Sequence, residues 1–254
     1  MPKRKKMSAD TPKYAPLAIT PVDDHGDHVV SRLQTGNVFD DFINPPFIGI
    51  AGLIGSGKTE LTKNLSKRLD IPAYFEPVIN YTLLEQFYGN MSRYGFQLQI
   101  DLLSNRFKQQ QQIVWDERGG ISDRTIYEDA IFARVLVKGG HMEQSEYATY
   151  IKLFSRMANL MRRPTLIVYL RVTPEQSMER IIGRGREMEH GITIEYLRQL
   201  YEEYELFIQQ ISHSTPVLIV DWSDYTAVDS LIAAINKKLN CPRDITVVPR
   251  SKSM

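Results

Sequence analysis

Gly52-Leu53-Ile54-Gly55-Ser56-Gly57-Lys58-Thr59 is the stretch of this 254-residue chain with the sharpest chemical meaning. It fits G-x-x-x-x-G-K-[ST], in which glycines let backbone N–H groups turn toward phosphate oxygens. Its flanks agree. Phe47-Ile48-Gly49-Ile50-Ala51 is a short apolar run suited to a buried strand, and residues 60–69 carry Leu61, Leu65 and Leu69 at helical spacing. A strand, a glycine loop and a helix in that order aim a helix N-terminus at an anion. The stretch therefore reads as a nucleoside triphosphate site. Gly52, Gly55, Ser56 and Gly57 form the cradle, Lys58 reaches the β/γ-phosphates, and the Thr59 hydroxyl ligates Mg²⁺. A glycine-rich turn that binds nothing would not require both flanks.

The rest of the body alternates in the same way. Strands are expected at 73–75, 120–122, 165–170 and 216–220, making five with the first. Helical patterning covers a long region up to about residue 116, broken near Gly89-Asn90. It resumes at 127–161 with a break at Gly139-Gly140, then at 174–182, 194–211 and 229–239. Pro174 opens one of these helices at its first turn. The expectation is an α/β fold, a five-stranded parallel sheet with helices on both faces. Ligands of such sheets bind beyond the carboxyl ends of the strands. The first strand ends at the glycine loop, the second at Glu76 and the third at Asp123-Arg124. One rim thus receives a phosphate cradle, a carboxylate and an acid–arginine pair, the parts that phosphoryl transfer needs. Glu76 is the candidate base, Arg124 the charge stabiliser, and Asp123 a carboxylate on the Mg²⁺ side. The competing reading of Asp123-Arg124 is a surface ion pair. Arg180, Arg184 and Arg186, with Gly183 and Gly185 between them, read as an arginine-rich lid, against a solvated basic helix end.

Composition bounds the alternatives. An apolar content of 43% supports a sizeable core, and a net charge of +1 gives no general attraction to nucleic acid or membrane. One cysteine, Cys241, excludes an internal disulfide and a cysteine-rich metal site, and suits a cytoplasmic location. No apolar run approaches membrane-spanning length, and no secretory signal is expected. Residues 1–45 read as a flexible polar tail, 46–240 as the catalytic domain and 241–254 as a C-terminal tail. The basic block Lys3-Arg4-Lys5-Lys6 reads as a solvated terminus, a nuclear address being the alternative. Asp23, Asp24, His25, Asp27 and His28 read as a polar loop rather than a metal cluster.

Glu76-Pro77-Val78, the run Asp123-Arg124-Thr125-Ile126-Tyr127-Glu128-Asp129, and Arg184-Gly185-Arg186-Glu187-Met188-Glu189 resemble the deoxynucleoside kinase family. The likeness extends over about 46–239, with the motifs in order. The acidic run is closer to the bacterial deoxyadenosine/deoxyguanosine kinase branch than to the animal enzymes, which usually have E-R-S. The resemblance implies a P-loop kinase fold, ATP with Mg²⁺, and γ-phosphoryl transfer to the 5′-hydroxyl of a deoxynucleoside in nucleotide salvage. It also implies a cytoplasmic homodimer. Carried over residue by residue, it makes Glu76 the general base and Arg124 the arginine beside the 5′-hydroxyl. Tyr81, Leu84 and Phe87 then line the base pocket, while Tyr88 and Glu189 meet the sugar 3′-hydroxyl. Gln99 reads the base edge together with Arg106 and Asp129. Arg180, Arg184 and Arg186 become the lid arginines, and Asp224 and Tyr225 meet the adenine of ATP.

Two departures bear on the pocket. Asp101 stands where tyrosine is common, and Gln97 competes with Gln99. Gln99 is preferred because it lies seven residues before Arg106, two turns along one helix face. Tyr81 replaces a tryptophan frequent in the family and leaves room for a two-ring base, so a purine is expected, deoxyadenosine first. A thymidylate-type monophosphate kinase is the nearest alternative, but Glu76 suits a neutral hydroxyl better than an acceptor phosphate. A non-catalytic subunit of the same fold would predict a damaged loop. Lys58, Thr59, Glu76 and Arg124 are all present.

Overall fold

The computed structural model describes residues 45–75, 81–222, 228–240 and 246–248. The strands are β1 (Phe47–Gly52), β2 (Ala73–Tyr74), β3 (Gly120–Asp123), β4 (Leu166–Arg171), β5 (Val217–Asp221) and β6 (Thr246–Val248). They form one parallel sheet in the order β2-β3-β1-β4-β5-β6. The five expected strands are all present. The sixth is a short edge strand within the segment expected to be a tail. β1 is buried along its whole length, which is why it reads as a continuous apolar run. The register pairs Ile50 with Asp123 on one side and with Val168 on the other. The carboxyl ends of β3, β1 and β4 therefore lie side by side. Gly49 is needed inside β1, since a Cβ there would sit 2.4 Å from Thr125 Cγ2.

The helices are α1 (Lys58–Leu69), α2 (Tyr81–Gly89), α3 (Met91–Trp115), α4 (Asp129–Lys138), α5 (Gln144–Asn159), α6 (Pro174–Arg184), α7 (Ile194–Ile211) and α8 (Val228–Asn240). The break at Gly89-Asn90 has a local cause. The Asn90 side chain caps α3 by accepting the Arg93 N–H at 3.0 Å. α6 starts with a capping box between Thr173 and Gln176, with Pro174 at its first turn, and stops at Gly185 (φ 62°). The apolar stripe of α1 buries Leu61 and Leu65. Leu103, Leu136, Leu200 and Tyr204 come into the same core from α3, α4 and α7. Gln109 and Gln110 are buried too. Gln110 donates to the Arg162 carbonyl at 3.0 Å and accepts the Ile126 N–H at 3.3 Å, bracing α3 against the turn after β3.

Candidate active site

The glycine loop is shaped by its backbone. Gly55 and Gly57 take φ of 77° and 92°, a region open to glycine. A Cβ at Gly52 would lie 2.8 Å from both the Leu170 carbonyl and Ser56 Oγ. The buried Lys58 ammonium arches over the loop and donates to the carbonyls of Leu53 (2.6 Å) and Gly52 (3.2 Å). At the start of α1, the Thr59 hydroxyl donates to Asp123 Oδ2 at 2.5 Å across the ends of β1 and β3. The other oxygen, Asp123 Oδ1, is buried and makes no hydrogen bond among the described residues. A threonine oxygen beside an unsatisfied carboxylate is a hard-oxygen donor set, which fits Mg²⁺.

Arg124 follows Asp123 with a left-handed backbone (φ 69°), a conformation that costs a non-glycine residue energy and marks functional turns. Its buried guanidinium donates through Nη1 to the Gly52 carbonyl at 3.1 Å and to Glu128 Oε2 at 3.3 Å. It also bonds the Tyr204 hydroxyl and lies over the Phe132 ring. Glu128 is fully buried. Burial pushes its carboxyl above the usual range, opposed by Arg124, Lys58, the Thr125 N–H and the Tyr204 hydroxyl. Three donors converge on this one carboxyl, from Arg124, the Thr125 N–H and the Tyr204 hydroxyl.

A cleft of about 390 Å³ opens beside these groups. Gly55, Lys58, Thr59, Asp123 and Arg124 line its phosphate side, and Leu84, Phe87, Tyr88, Gln99 and Arg106 its far side. Gln99 is buried and its Oε1 has no hydrogen-bond partner among the described residues, whereas Gln97 is exposed on the opposite face. Arg106 lies two turns on and is ion-paired with the buried Asp129 of α4. Asp101 stays on the helix surface, accepting from Asn105 at 3.3 Å. At the end of α6, Arg184 grips Glu189 with two bonds of 2.7 and 2.6 Å, and Arg186 stands 3.7 Å from the same carboxylate. All three line the cleft. Arg180 does not. It donates to the carbonyls of Ser56 (3.3 Å) and Trp222 (2.8 Å), fastening α6 to the back of the loop.

Glu76, Asp224 and Tyr225 lie outside the described residues, as do Cys241 and the basic block at 3–6. Of Tyr81, only its place at the start of α2 is described. Sequence reasoning missed several lining residues, namely Ile54, Leu98, Leu102, Phe132 and Tyr196. For Leu102 a signal existed, since it lies between Gln99 and Arg106 at helical spacing. Glu128 and Tyr204 were missed as well, and their association is visible only in the fold.

A phosphate cradle thus faces a cavity with apolar walls and a polar far edge, sized for a second small molecule. That layout defines a phosphotransferase of the P-loop class. Comparison with known proteins narrows the class. The family profile for deoxynucleoside kinases matches residues 48–240, and the chain belongs to that family. It is a transferase that phosphorylates a deoxynucleoside to the monophosphate. It is 46% identical over 215 residues to a deoxyadenosine kinase of Dictyostelium discoideum, covering 85% of this chain and 88% of that one. It is 38% identical over 181 residues to a deoxyadenosine/deoxycytidine kinase of Bacillus subtilis, with 70% and 83% covered. Among solved structures, a deoxyadenosine kinase from M. mycoides with bound dATP matches with a TM-score of 0.68 and 33% identity. That match covers 77% of this chain and 99% of the other.

Proposed function

We propose that this enzyme transfers the γ-phosphoryl of ATP to the 5′-hydroxyl of a purine deoxynucleoside, deoxyadenosine first, in nucleotide salvage. The observation that carries the base preference is the buried Gln99 amide on the cleft wall, whose carbonyl has no partner among the described residues. An unsatisfied buried amide is costly, and one that can both donate and accept matches the N6 and N7 or N1 edge of adenine. The Arg106–Asp129 pair adds a donor and an acceptor beside it. The relatives named for deoxyadenosine support the same choice.

In this reading Glu76 takes the proton from the 5′-hydroxyl. Arg124, Lys58, Arg184 and Arg186 stabilise charge on the moving phosphoryl. Tyr88 and Glu189 hold the sugar, and Asp224 and Tyr225 meet the adenine of ATP. Thr59 and Asp123 would hold Mg²⁺, which would neutralise charge on the donor phosphates. Residues 46–240 form the catalytic domain. The enzyme acts in the cytoplasm as a homodimer, a state supported by α5, on which Tyr150 and Ala158 are the buried residues, and by the exposed Trp115 that ends α3. Sedimentation at micromolar concentration tests the dimer. ATP consumption measured in parallel against the four deoxynucleosides tests the substrate. Deoxyadenosine is expected to show the highest kcat/KM, and thymidine outcompeting it would overturn the assignment.

A further inference from the structure

Among the described residues, Glu128 is a buried acid in direct contact with Arg124 that has no task in the proposed reaction. Glu128 sits in the 3-10 turn (Ile126–Glu128) that follows Arg124 and is wholly excluded from solvent. Its Oε1 accepts the Thr125 N–H at 3.0 Å. Its Oε2 accepts from Arg124 Nη1 at 3.3 Å and from the Tyr204 hydroxyl at 2.9 Å. Tyr204 comes from α7, far away in sequence, and its hydroxyl also meets Arg124 Nη1. The phenol is fixed in turn, stacked on Tyr169 at 5.8 Å and 11° and set edge-on to Phe132 at 6.3 Å and 89°. The same Nη1 donates to the Gly52 carbonyl at the end of β1. One end of the guanidinium is thus tied to an acid, a phenol and the phosphate loop, while the residue lines the cleft.

We infer that Glu128 and Tyr204 are positioning residues, which hold Arg124 in register with the phosphate loop so that its charge meets the transferring phosphoryl. The inference rests on the proposal that Arg124 acts on that group. A preorganised cation helps only at the right place, and a misplacement of about 1 Å costs on the order of 10²-fold in rate. Without Glu128 the guanidinium would lose a buried charged partner, and the left-handed backbone of Arg124 would lose the contact that follows it. A purely architectural ion pair would behave differently, since its loss would lower stability and leave turnover per folded molecule unchanged.

The test is a double-mutant cycle on Glu128→Gln and Arg124→Ala, with Tyr204→Phe as a third variant. It reads kcat, both KM values and the melting temperature with MgATP and deoxyadenosine. Glu128→Gln should lower kcat by about 10–100-fold, with both KM values within about threefold. In the Arg124→Ala background the same substitution should cause no further loss, because its effect passes through Arg124. Tyr204→Phe keeps the ring stack and should lower kcat by about 3–10-fold; it decides the matter if Glu128→Gln does not fold. Independent, multiplicative losses would overturn the inference, as would a folded Glu128→Gln or Tyr204→Phe with full kcat. Arg124→Ala with full kcat would overturn the proposed role of Arg124 as well. Loss in Arg124→Ala beside full activity in Glu128→Gln would overturn the positioning role alone.

Discussion

A buried polar atom is tolerated when something satisfies it, and Gln99 Oε1 has no partner within the described residues. If a purine edge supplies that partner, Gln99→Ala should reduce kcat/KM for deoxyadenosine by about 1–3 kcal/mol, with little effect on any thymidine activity. Competition kinetics measure this directly, and an unchanged substrate ranking would end the account. Glu76→Gln keeps shape but removes the basic charge. It should lower kcat by about 10²–10⁴-fold while ATP binding, followed by calorimetry, is retained; near-normal kcat would exclude Glu76 as the base. At this scale the sequence was legible wherever spacing along one helix did the placing. Gln99 was separable from Gln97 by its distance to Arg106, and the buried and exposed faces of α3 agree. Glu128 and Tyr204 were not legible, because they meet across 76 residues and no local pattern signals the contact.

Elements deliver these groups, and two of them carry their own tests. α6 ends at Gly185 and presents Arg184 in a two-point grip on Glu189. If, as proposed, the Arg184 charge acts on the transferring phosphoryl, Arg184→Ala should lower kcat more than it raises the nucleoside KM. A rise in the nucleoside KM alone would place the segment in the acceptor pocket. The start of the helix was legible from Pro174. That Arg180 binds the carbonyls of Ser56 and Trp222 was not, since it depends on how α6 meets the loop and the end of β5. Elsewhere β2 is only two residues long and is tied to the end of α3 by Tyr74, whose hydroxyl donates to Asp116 at 2.8 Å. The Arg118 N–H and then Tyr74 hold the Asp116 carboxyl below its ordinary 3.8. Burial, then the bond to Asp116, pushes the Tyr74 phenol up to about 12. The lowered acid contributes stability above pH 3.8 that fades as pH falls below it. The raised phenol contributes stability below pH 10.0 that fades as pH rises toward 12. Tyr74→Phe should therefore cost about 0.5–1 kcal/mol between those limits, with the gap closing at both ends. Urea unfolding across pH measures it, and a gap that does not vary with pH would refute the linkage.

For the molecule as a whole, the alternation of strands and helices made the parallel sheet legible, because a parallel sheet buried on both faces demands apolar runs separated by helices. The sixth strand escaped that logic. Thr246-Val247-Val248 is too short to stand out, and its strand state comes from pairing with Leu218, Ile219 and Val220 of β5. Those three β5 residues are buried, so removing residues 241–254 would turn an apolar, regular strand into a sheet edge. A few lost backbone hydrogen bonds at about 0.5–1.5 kcal/mol each total roughly 2 kcal/mol. For a domain of this size that lowers the melting temperature by about 4–8 °C. β6 lies two strands beyond β4 in the sheet order, away from β1 and β3, at whose ends Lys58, Asp123 and Arg124 meet. The truncated enzyme should therefore keep its kcat at low temperature, melt earlier, and associate at high concentration through the uncovered edge. Calorimetry, light scattering and turnover on one preparation would decide it. An unchanged melting temperature would show that β6 adds no stability, and a selective loss of kcat would show that the C-terminal segment reaches the active site.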